Sequence, residues 1–240
     1  MKRGKALKIE VLKTLEVTPL SRLYEALSRF PLEKVVSHLI GAFCHRNEEV
    51  KWKAVLGFGW VVSKIAEKDL EKARVIIRRL MWMLNEESGG MAWGVPEGFA
   101  EALYNSEPLK EEYISIFISY LWDTESEGKY KSDNYLEFPP AQRGVIWGIG
   151  RLAQKYEDDV RKNHGHLHLK KHLSSSDEVV SLLSLWAIFQ FKKKDFLEES
   201  LGVLSSLKSL SELKNPCYTL YTGTDIEKIC LRDLLSLFQN

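Results

Sequence analysis

Apolar residues recur along most of the chain at the spacing of an α-helix that buries one face. Between Pro31 and His45 the apolar positions are Leu32, Val35, Val36, Leu39, Ile40 and Phe43. This i, i+3, i+4, i+7 series is typical of an amphipathic helix. Asn47 follows as a candidate N-cap, and the same pattern begins again at Asp69 and at Ser106. The chain is therefore predicted to be a succession of helices.

The pattern places one or two helices over about residues 5–29, followed by five helix pairs. The predicted pairs are 31–45/47–66, 69–85/90–104, 106–122/139–156, 158–173/176–191 and 194–211/224–238. Ser175 with Glu178, and Thr224 with Glu227, have the spacing of capping boxes. These boxes predict where the second helix of each of the last two pairs begins.

An internal repeat connects the pairs. The triplet that begins at Gly57 (Gly-Phe-Gly) recurs at Gly98 (Gly-Phe-Ala) and at Gly148 (Gly-Ile-Gly), with spacings of 41 and 50 residues. A degenerate fourth copy runs from Val179 to Ala187. Periods of this length are typical of solenoids built from helix pairs, and small residues at matched positions predict close helix packing.

The residues at these positions also resemble a known type of repeat. Residues 50–62 and 143–153 resemble the second helix of HEAT repeats of the phycobilisome-lyase-like type. The segment 81–97, which includes Asn-Glu-Glu-Ser-Gly-Gly at 85–90, resembles an uncharacterised bacterial family of such proteins. The resemblance implies a fold and no known activity, and no bilin chemistry is carried over.

Repeat and resemblance together predict an all-α fold. The expected architecture is a right-handed α-α superhelix, a HEAT/armadillo-like solenoid of about five helix pairs. We expect one domain over residues 1–240, in which residues 1–30 form N-terminal capping helices.

Charge and cysteine content exclude several classes of protein. Lys and Arg total 34 against 33 Asp and Glu, a net charge of +1, so the chain lacks the positive field of a non-specific nucleic-acid binder. Three cysteines without a CxxC pair predict free thiols in a reducing compartment. Charges interrupt the N-terminal segment, and no apolar run approaches the roughly 20 residues of a bilayer span. We therefore expect a cytoplasmic protein without a membrane partner.

Connections within the pairs predict where ligands bind. The loops 85–90, 123–138 and 214–223 should project from one edge, and insertions in solenoids often mark the binding face. The candidate binding residues on this rim and on the adjoining second helices are Glu86, Glu87, Ser88, Trp93, Glu97, Tyr130, Tyr135, Arg143 and Trp147. The competing interpretation is structural: glutamates solvate a turn, and aromatic residues cover the edge of the core.

Two carboxylates on one second helix suggest a charged groove. Glu97 and Glu101 are one helical turn apart, and Arg143 or Arg151 on the next second helix is in a position to pair with them. Such residues form either a salt-bridge ladder between repeats or a polar groove for a peptide or small charged ligand.

A histidine-rich segment is a weak metal candidate. His164, His168 and His172 fall at i, i+4 and i+8, so on a helix they share a face suited to zinc. Interleaved lysines and arginines favour a solvated basic face instead. No cofactor is predicted.

The sequence contains neither a GxSxG nucleophile turn nor a phosphate-binding glycine loop. The favoured function is therefore a non-enzymatic interaction module that binds a protein or peptide on its concave face or loop rim. One alternative is a HEAT-like alkylpurine DNA glycosylase, with Trp52, Trp93, Trp147, Arg143 and Glu97 around a damaged base. The other is a metal- or cofactor-handling protein.

Overall fold

A computed structural model of the chain describes residues 2–85, 93–123, 134–192 and 214–237. The chain divides into two compact units, Met1–Tyr113 and Ile114–Asn240. Most described residues in both units are helical, which confirms the all-α prediction. No described helix combines the length and hydropathy needed to cross a bilayer. The single domain over 1–240 stays a prediction.

The first unit follows the predicted order of helices. Its elements are α1 (Lys2–Val17), a 3-10 turn (Leu20–Arg22), α2 (Leu23–Leu27), α3 (Leu32–Ala42), α4 (Glu48–Ala66), α5 (Leu70–Leu84), α6 (Val95–Asn105) and the start of α7 (Glu107–Ser119). The predicted caps are confirmed. The Asn47 side chain accepts hydrogen bonds from the backbone N–H groups of Glu49 (2.9 Å) and Val50 (3.3 Å), and Asp69 accepts one from Lys72 (3.1 Å).

Helix α4 is the central element of the first unit. It packs against α3, α5 and α6, and residues on all its sides are buried, including Trp52, Val55, Phe58 and Val62. It keeps some accessible surface, because its first turn and the residues Trp60 and Lys64, one helical turn apart near its end, are not fully buried. The neighbouring helices therefore carry most of the surface of the unit.

Among its described residues the second unit contains the end of α7, four further helices and a hairpin. These elements are α8 (Pro139–Lys162), α9 (Gly165–His172), α10 (Glu178–Ile188), β1 (Cys217–Tyr221), β2 (Ile226–Cys230) and α11 (Leu231–Ser236). The helix boundary predicted near 156–158 is a kink inside α8, where Tyr156 has non-helical backbone angles (φ −125°, ψ 45°). The predicted helix 194–211 lies outside the described residues.

The N-cap of α10 differs from the predicted one. Asp177, not Ser175, accepts hydrogen bonds from the backbone N–H groups of Val179 (3.1 Å) and Val180 (2.9 Å). Ser175 helps to hold Asp177 in this position, because the Ser175 hydroxyl accepts a hydrogen bond from the backbone N–H of Asp177 (3.2 Å). Two candidate caps two residues apart look alike in the sequence, and the carboxylate is the better partner for a helix N-terminus.

The predicted helix 224–238 is wrong over its first half. Strands β1 and β2 pair antiparallel there, with Tyr221 opposite Ile226 and Cys217 opposite Cys230. Gly223 turns the chain at φ +116°, a conformation that favours glycine. Aromatic and β-branched residues flanking a Thr-Gly-Thr-Asp turn suit a hairpin better than a helix, so Thr224 and Glu227 form no capping box.

The prediction of three free thiols is also wrong. Cys217 and Cys230 form a disulfide between the facing ends of the two strands, and Cys44 is the free cysteine of the chain. The sequence analysis missed the disulfide because it did not predict the hairpin. The hairpin brings the two cysteines, which are 13 positions apart, to a Cα–Cα distance of 4.1 Å.

Two glycines at matched positions of the repeat lie where helices approach closely. A Cβ added at Gly59 in α4 would lie 2.6 Å from the Cβ of Glu101 and 2.7 Å from its carbonyl carbon in α6. A Cβ at Gly150 in α8 would lie 2.8 Å from the Cα of Ala187 in α10. The repeat glycines therefore serve helix packing, as the sequence predicted.

One carboxylate is buried at the start of α6. Glu97 is 4% exposed; its Oε1 lies 3.9 Å from the Nζ of Lys51, and its Oε2 has no hydrogen-bond partner. Burial raises the pKa of Glu97, and the Lys51 ammonium opposes that rise. The fold therefore favours the protonated acid at this position more than the unfolded chain does.

We expect Gly59→Ala and Gly150→Ala to destabilise the protein by about 1–3 kcal/mol each, because the added methyl forces packed backbones apart. The control is Gly41→Ala at the end of α3, where nothing lies within 4 Å of an added Cβ. That change should stabilise the helix by up to about 1 kcal/mol. Urea unfolding followed by circular dichroism measures all three, and wild-type stability in Gly59→Ala would contradict the close approach.

We expect the Cys217→Ser/Cys230→Ser variant to be less stable than wild type by at most about 3 kcal/mol, since the bond closes a short loop in the unfolded chain. A thiol assay in denaturant tests the bond itself: the untreated protein should react at Cys44 alone and the reduced protein at all three cysteines. Three reactive thiols without reduction would contradict the disulfide.

We expect Glu97→Gln to change how stability depends on pH. Because the pKa of Glu97 is higher in the folded than in the unfolded state, its contribution is fully present below the unfolded pKa and is lost as pH rises through the folded pKa. The variant lacks this loss, so its melting temperature relative to wild type should rise as the pH increases above the ordinary glutamate pKa of 4.5. Exposed Glu10→Gln is the control, and an equal profile for both variants would contradict the raised pKa.

Candidate functional site

The predicted rim of the first unit is described only in part. Glu86, Glu87 and Ser88, like Tyr130 in the second unit, lie outside the described residues. Trp93 is described and is 51% exposed, and its carbonyl oxygen accepts a hydrogen bond from the Cys44 thiol (3.8 Å).

Trp93 and Glu97 flank a small polar cluster that contains Lys51 and Cys44. The Lys51 ammonium lies 3.5 Å from a Glu48 carboxylate oxygen and 5.4 Å from the centre of the Trp52 ring. Burial raises the pKa of the Cys44 thiol, Lys51 opposes this, and Glu97 adds to it. A thiol with a raised pKa is a weak nucleophile at neutral pH, so the exposed Cys44 is not activated by this cluster.

In the second unit the candidate residues make structural contacts. The Tyr135 hydroxyl accepts a hydrogen bond from the Gln142 side chain (3.1 Å), and burial raises the pKa of Tyr135. Arg143 donates two hydrogen bonds to the carboxylate of Asp177 (3.2 and 2.5 Å), which links the start of α8 to the cap of α10. Trp147 is 1% exposed, and its indole N–H donates to the carbonyl oxygen of Tyr221 (2.8 Å).

The two residues predicted to line a charged groove beside them are buried as well. Glu101 is fully buried in the first unit, where its carboxylate accepts a hydrogen bond from the Asn105 side chain (3.0 Å). Arg151 is 6% exposed; it donates to Gln154 (2.7 Å), and its guanidinium lies 5.2 Å from the centre of the Tyr221 ring. These charges lie inside their units and do not form an open groove.

The three histidines do not share a helical face. His164 precedes α9 in a left-handed conformation (φ +61°) and is exposed. His168 and His172 are buried on α9, and His172 Nδ1 lies 2.8 Å from the carbonyl oxygen of His168. Within the ranges that the structure describes, no three His, Cys, Asp or Glu side chains are grouped to hold a metal ion.

An open groove lies elsewhere in the first unit, between α3 and α5. It consists of a depression of about 810 Å³ beside the turn that precedes α3 and a second of about 510 Å³ along the two helices. The two depressions share Glu33, Ile65 and Lys72, so they adjoin, and the Glu33–Lys72 ion pair (2.9 Å) lies at their shared border. We call this feature the α3–α5 groove.

Apolar side chains form most of the floor of the α3–α5 groove. They are Phe30, Pro31, Leu32, Val36, Trp60, Ile65, Val75 and Ile76. Trp60 is held in place because its ring stacks on Tyr24, with 5.5 Å between ring centres and 10° between planes. Val75 is 56% exposed, which is unusual for a valine in a helix that also buries a complete apolar stripe.

Charged side chains border the α3–α5 groove, and most of them are basic. The lining includes Lys34, Lys64, Lys68, Lys72 and Arg79 against the carboxylates Glu33 and Asp69. An apolar floor with a charged border is the usual anatomy of a binding surface for a protein segment.

The sequence contained a signal for this groove that periodicity alone passed over. Helix α5 buries Ala73, Ile77, Leu80 and Leu84, the stripe that its pattern predicts. Val75, Ile76 and Trp82 lie off that stripe, and Trp82 is 69% exposed beside a further depression of about 330 Å³. Apolar residues in excess of one buried face indicate a second surface to be covered.

No family model matches this chain. An uncharacterised protein of Archaeoglobus fulgidus is 34% identical over 122 residues, which are 51% of this chain and 56% of that protein. The match thus spans little more than half of the relative.

Among solved structures, the chain is similar to designed armadillo repeat proteins. One, in complex with the peptide (KR)4, is 19% identical, with a TM-score of 0.47 and coverage of 85% of this chain and 92% of that one. Another, computationally designed for modular peptide recognition, is 16% identical, with a TM-score of 0.43 and the same coverage. The phycobilisome-lyase-like and bacterial parts of the resemblance stay predictions.

Proposed function

We propose that this chain is a non-enzymatic interaction module that binds a segment of another protein in the α3–α5 groove. The observation that carries the proposal is the pair of adjoining depressions over a largely apolar floor. The groove replaces the second-helix residues predicted from sequence, because Glu97, Glu101 and Trp147 are buried. Trp93, exposed at the start of α6, stays a candidate contact on the predicted rim.

The size of the α3–α5 groove fits a peptide segment. Along α5 it runs from Asp69 to Arg79, ten residues and about 15 Å at 1.5 Å per residue. That length accommodates about three turns of a helix or four to five extended residues. Covering one side chain such as Val75 contributes at most about 1.5–3 kcal/mol, so several contacts along the groove are needed for micromolar binding.

The alternative functions gain no support from the geometry. A base-binding pocket needs accessible aromatic residues, whereas Trp52 and Trp147 are 0% and 1% exposed. A cytoplasmic location stays a prediction. The cysteine content no longer supports a reducing compartment, because two of the three cysteines form a disulfide.

We expect Val75→Glu to weaken peptide binding by at least about tenfold, since it places a charge on the apolar floor. Random peptides displayed on phage are selected against the wild-type protein, and the affinity of synthetic copies is measured by fluorescence anisotropy. The matched control is Val17→Glu at the end of α1, where the valine is 69% exposed and outside the groove.

Both variants should keep the wild-type melting temperature, because both valines are exposed in helices. The proposal fails if selection yields no binder, or if Val75→Glu and Val17→Glu bind the selected peptides equally well.

A further inference from the structure

The charges around the α3–α5 groove are unevenly compensated. Its two carboxylates, Glu33 and Asp69, both face Lys72, at 2.9 and 3.7 Å from the ammonium. Lys64 pairs with Glu67 at 2.6 Å. The two acidic side chains of the lining therefore share the single ammonium of Lys72, which leaves one negative charge over.

Three basic side chains of the lining are left over. Lys34, Lys68 and Arg79 are exposed, and among the residues that the structure describes none of them has an ion pair or a hydrogen-bonding carboxylate. Arg79 differs in this from its neighbours Arg74 and Arg78, which are bound to Glu112 and Glu71 respectively. The groove thus presents positive charge that the fold does not neutralise.

From this arrangement we propose that the segment bound in the α3–α5 groove is acidic, with apolar residues over the floor and carboxylates toward Lys34, Lys68 and Arg79. The inference rests on the proposed function, since it names the class of partner for the same groove. Opposite charge across an interface speeds association and excludes partners of the wrong sign. Overall the chain is almost neutral, at a net charge of +1, so this selectivity is a local property of the groove.

The positions of the three cations favour a segment over a small anion. Lys68 immediately precedes the cap of α5 and Arg79 lies ten residues beyond that cap, so the two are separated by about 15 Å along the helix. A single phosphate or carboxylate cannot reach both ends. A segment with acidic residues on each side of an apolar stretch reaches both while it covers Val36, Ile65 and Val75.

The test uses three synthetic peptides that share one apolar core and differ only in their flanks, which carry Glu, Gln or Lys. Binding is measured by fluorescence anisotropy to the full chain at low and high salt. We expect the Glu-flanked peptide to bind at least about tenfold more tightly than the Lys-flanked one, and the difference to shrink as salt screens the charges.

A charge reversal then separates electrostatics from packing. The variant Lys34→Glu/Arg79→Glu should lose the preference for the Glu-flanked peptide and gain affinity for the Lys-flanked one. The matched control Lys8→Glu/Lys13→Glu reverses the same number of exposed cations on α1, outside the groove, and should leave both affinities unchanged.

The outcomes distinguish this inference from the function on which it rests. If all three peptides bind equally and Val75→Glu still abolishes binding, the acidic preference is wrong and the interaction module stands. If none of the three peptides binds while display-selected peptides do, the inference alone fails. If no peptide of either kind binds, both fail. Binding to vesicles of phosphatidylglycerol, lost in Lys34→Glu/Arg79→Glu, without binding of the Glu-flanked peptide would overturn the inference in favour of an anionic lipid surface.

Discussion

The architecture of the first unit depends on the contact between the backbones of α4 and α6 at Gly59. Because no side chain separates the helices there, Glu101 lies directly against the glycine, and most of α4 is buried inside the unit. Helices α3 and α5 then cover α4 from its other sides. Ile65, on the last turns of α4, is left at the bottom of the space between them, and this is the floor of the groove. The proposed binding surface is thus a consequence of how deeply the central helix is buried.

The same constraint explains why three charged residues of the second helices are buried. Once these helices pack by glycine contacts, side chains beside the contact are enclosed, as Glu97, Glu101 and Arg151 are in their respective units. Each burial carries a desolvation penalty that a partner offsets only in part: Glu97 keeps one oxygen without a hydrogen bond, whereas Glu101 is bound by Asn105. Surface charge is therefore left to the outer helices, where Lys34 and Arg79 lie.

Sequence reasoning succeeded where a local pattern determines the structure. Asn47 and Asp69 cap helices because their side-chain oxygens accept hydrogen bonds from the backbone N–H groups of the first turn. Gly59 and Gly150 occupy matched positions of the repeat, and each lies at a close contact between two helices. Sequence reasoning failed where the local structure depends on a contact between residues that are far apart in the sequence. The hairpin of β1 and β2 is fixed by the disulfide between Cys217 and Cys230 and by the hydrogen bond from Trp147 to Tyr221, and neither contact has a periodic signature in the sequence.

The candidate site follows the same division. The sequence analysis predicted binding at the loops and second helices, because solenoids often bind ligands there. An open groove instead requires two helices to pack with a gap between them. The apolar pattern of one helix does not show whether its neighbour leaves such a gap. The pattern does show an apolar residue that lies outside the buried stripe of its helix. Val75 and Trp82 are such residues, each on the solvent side of a helix whose buried stripe is already complete. Where a helix has more apolar residues than it buries within its own unit, as α5 has at Val75, the excess is the feature of the sequence on which the proposed groove rests.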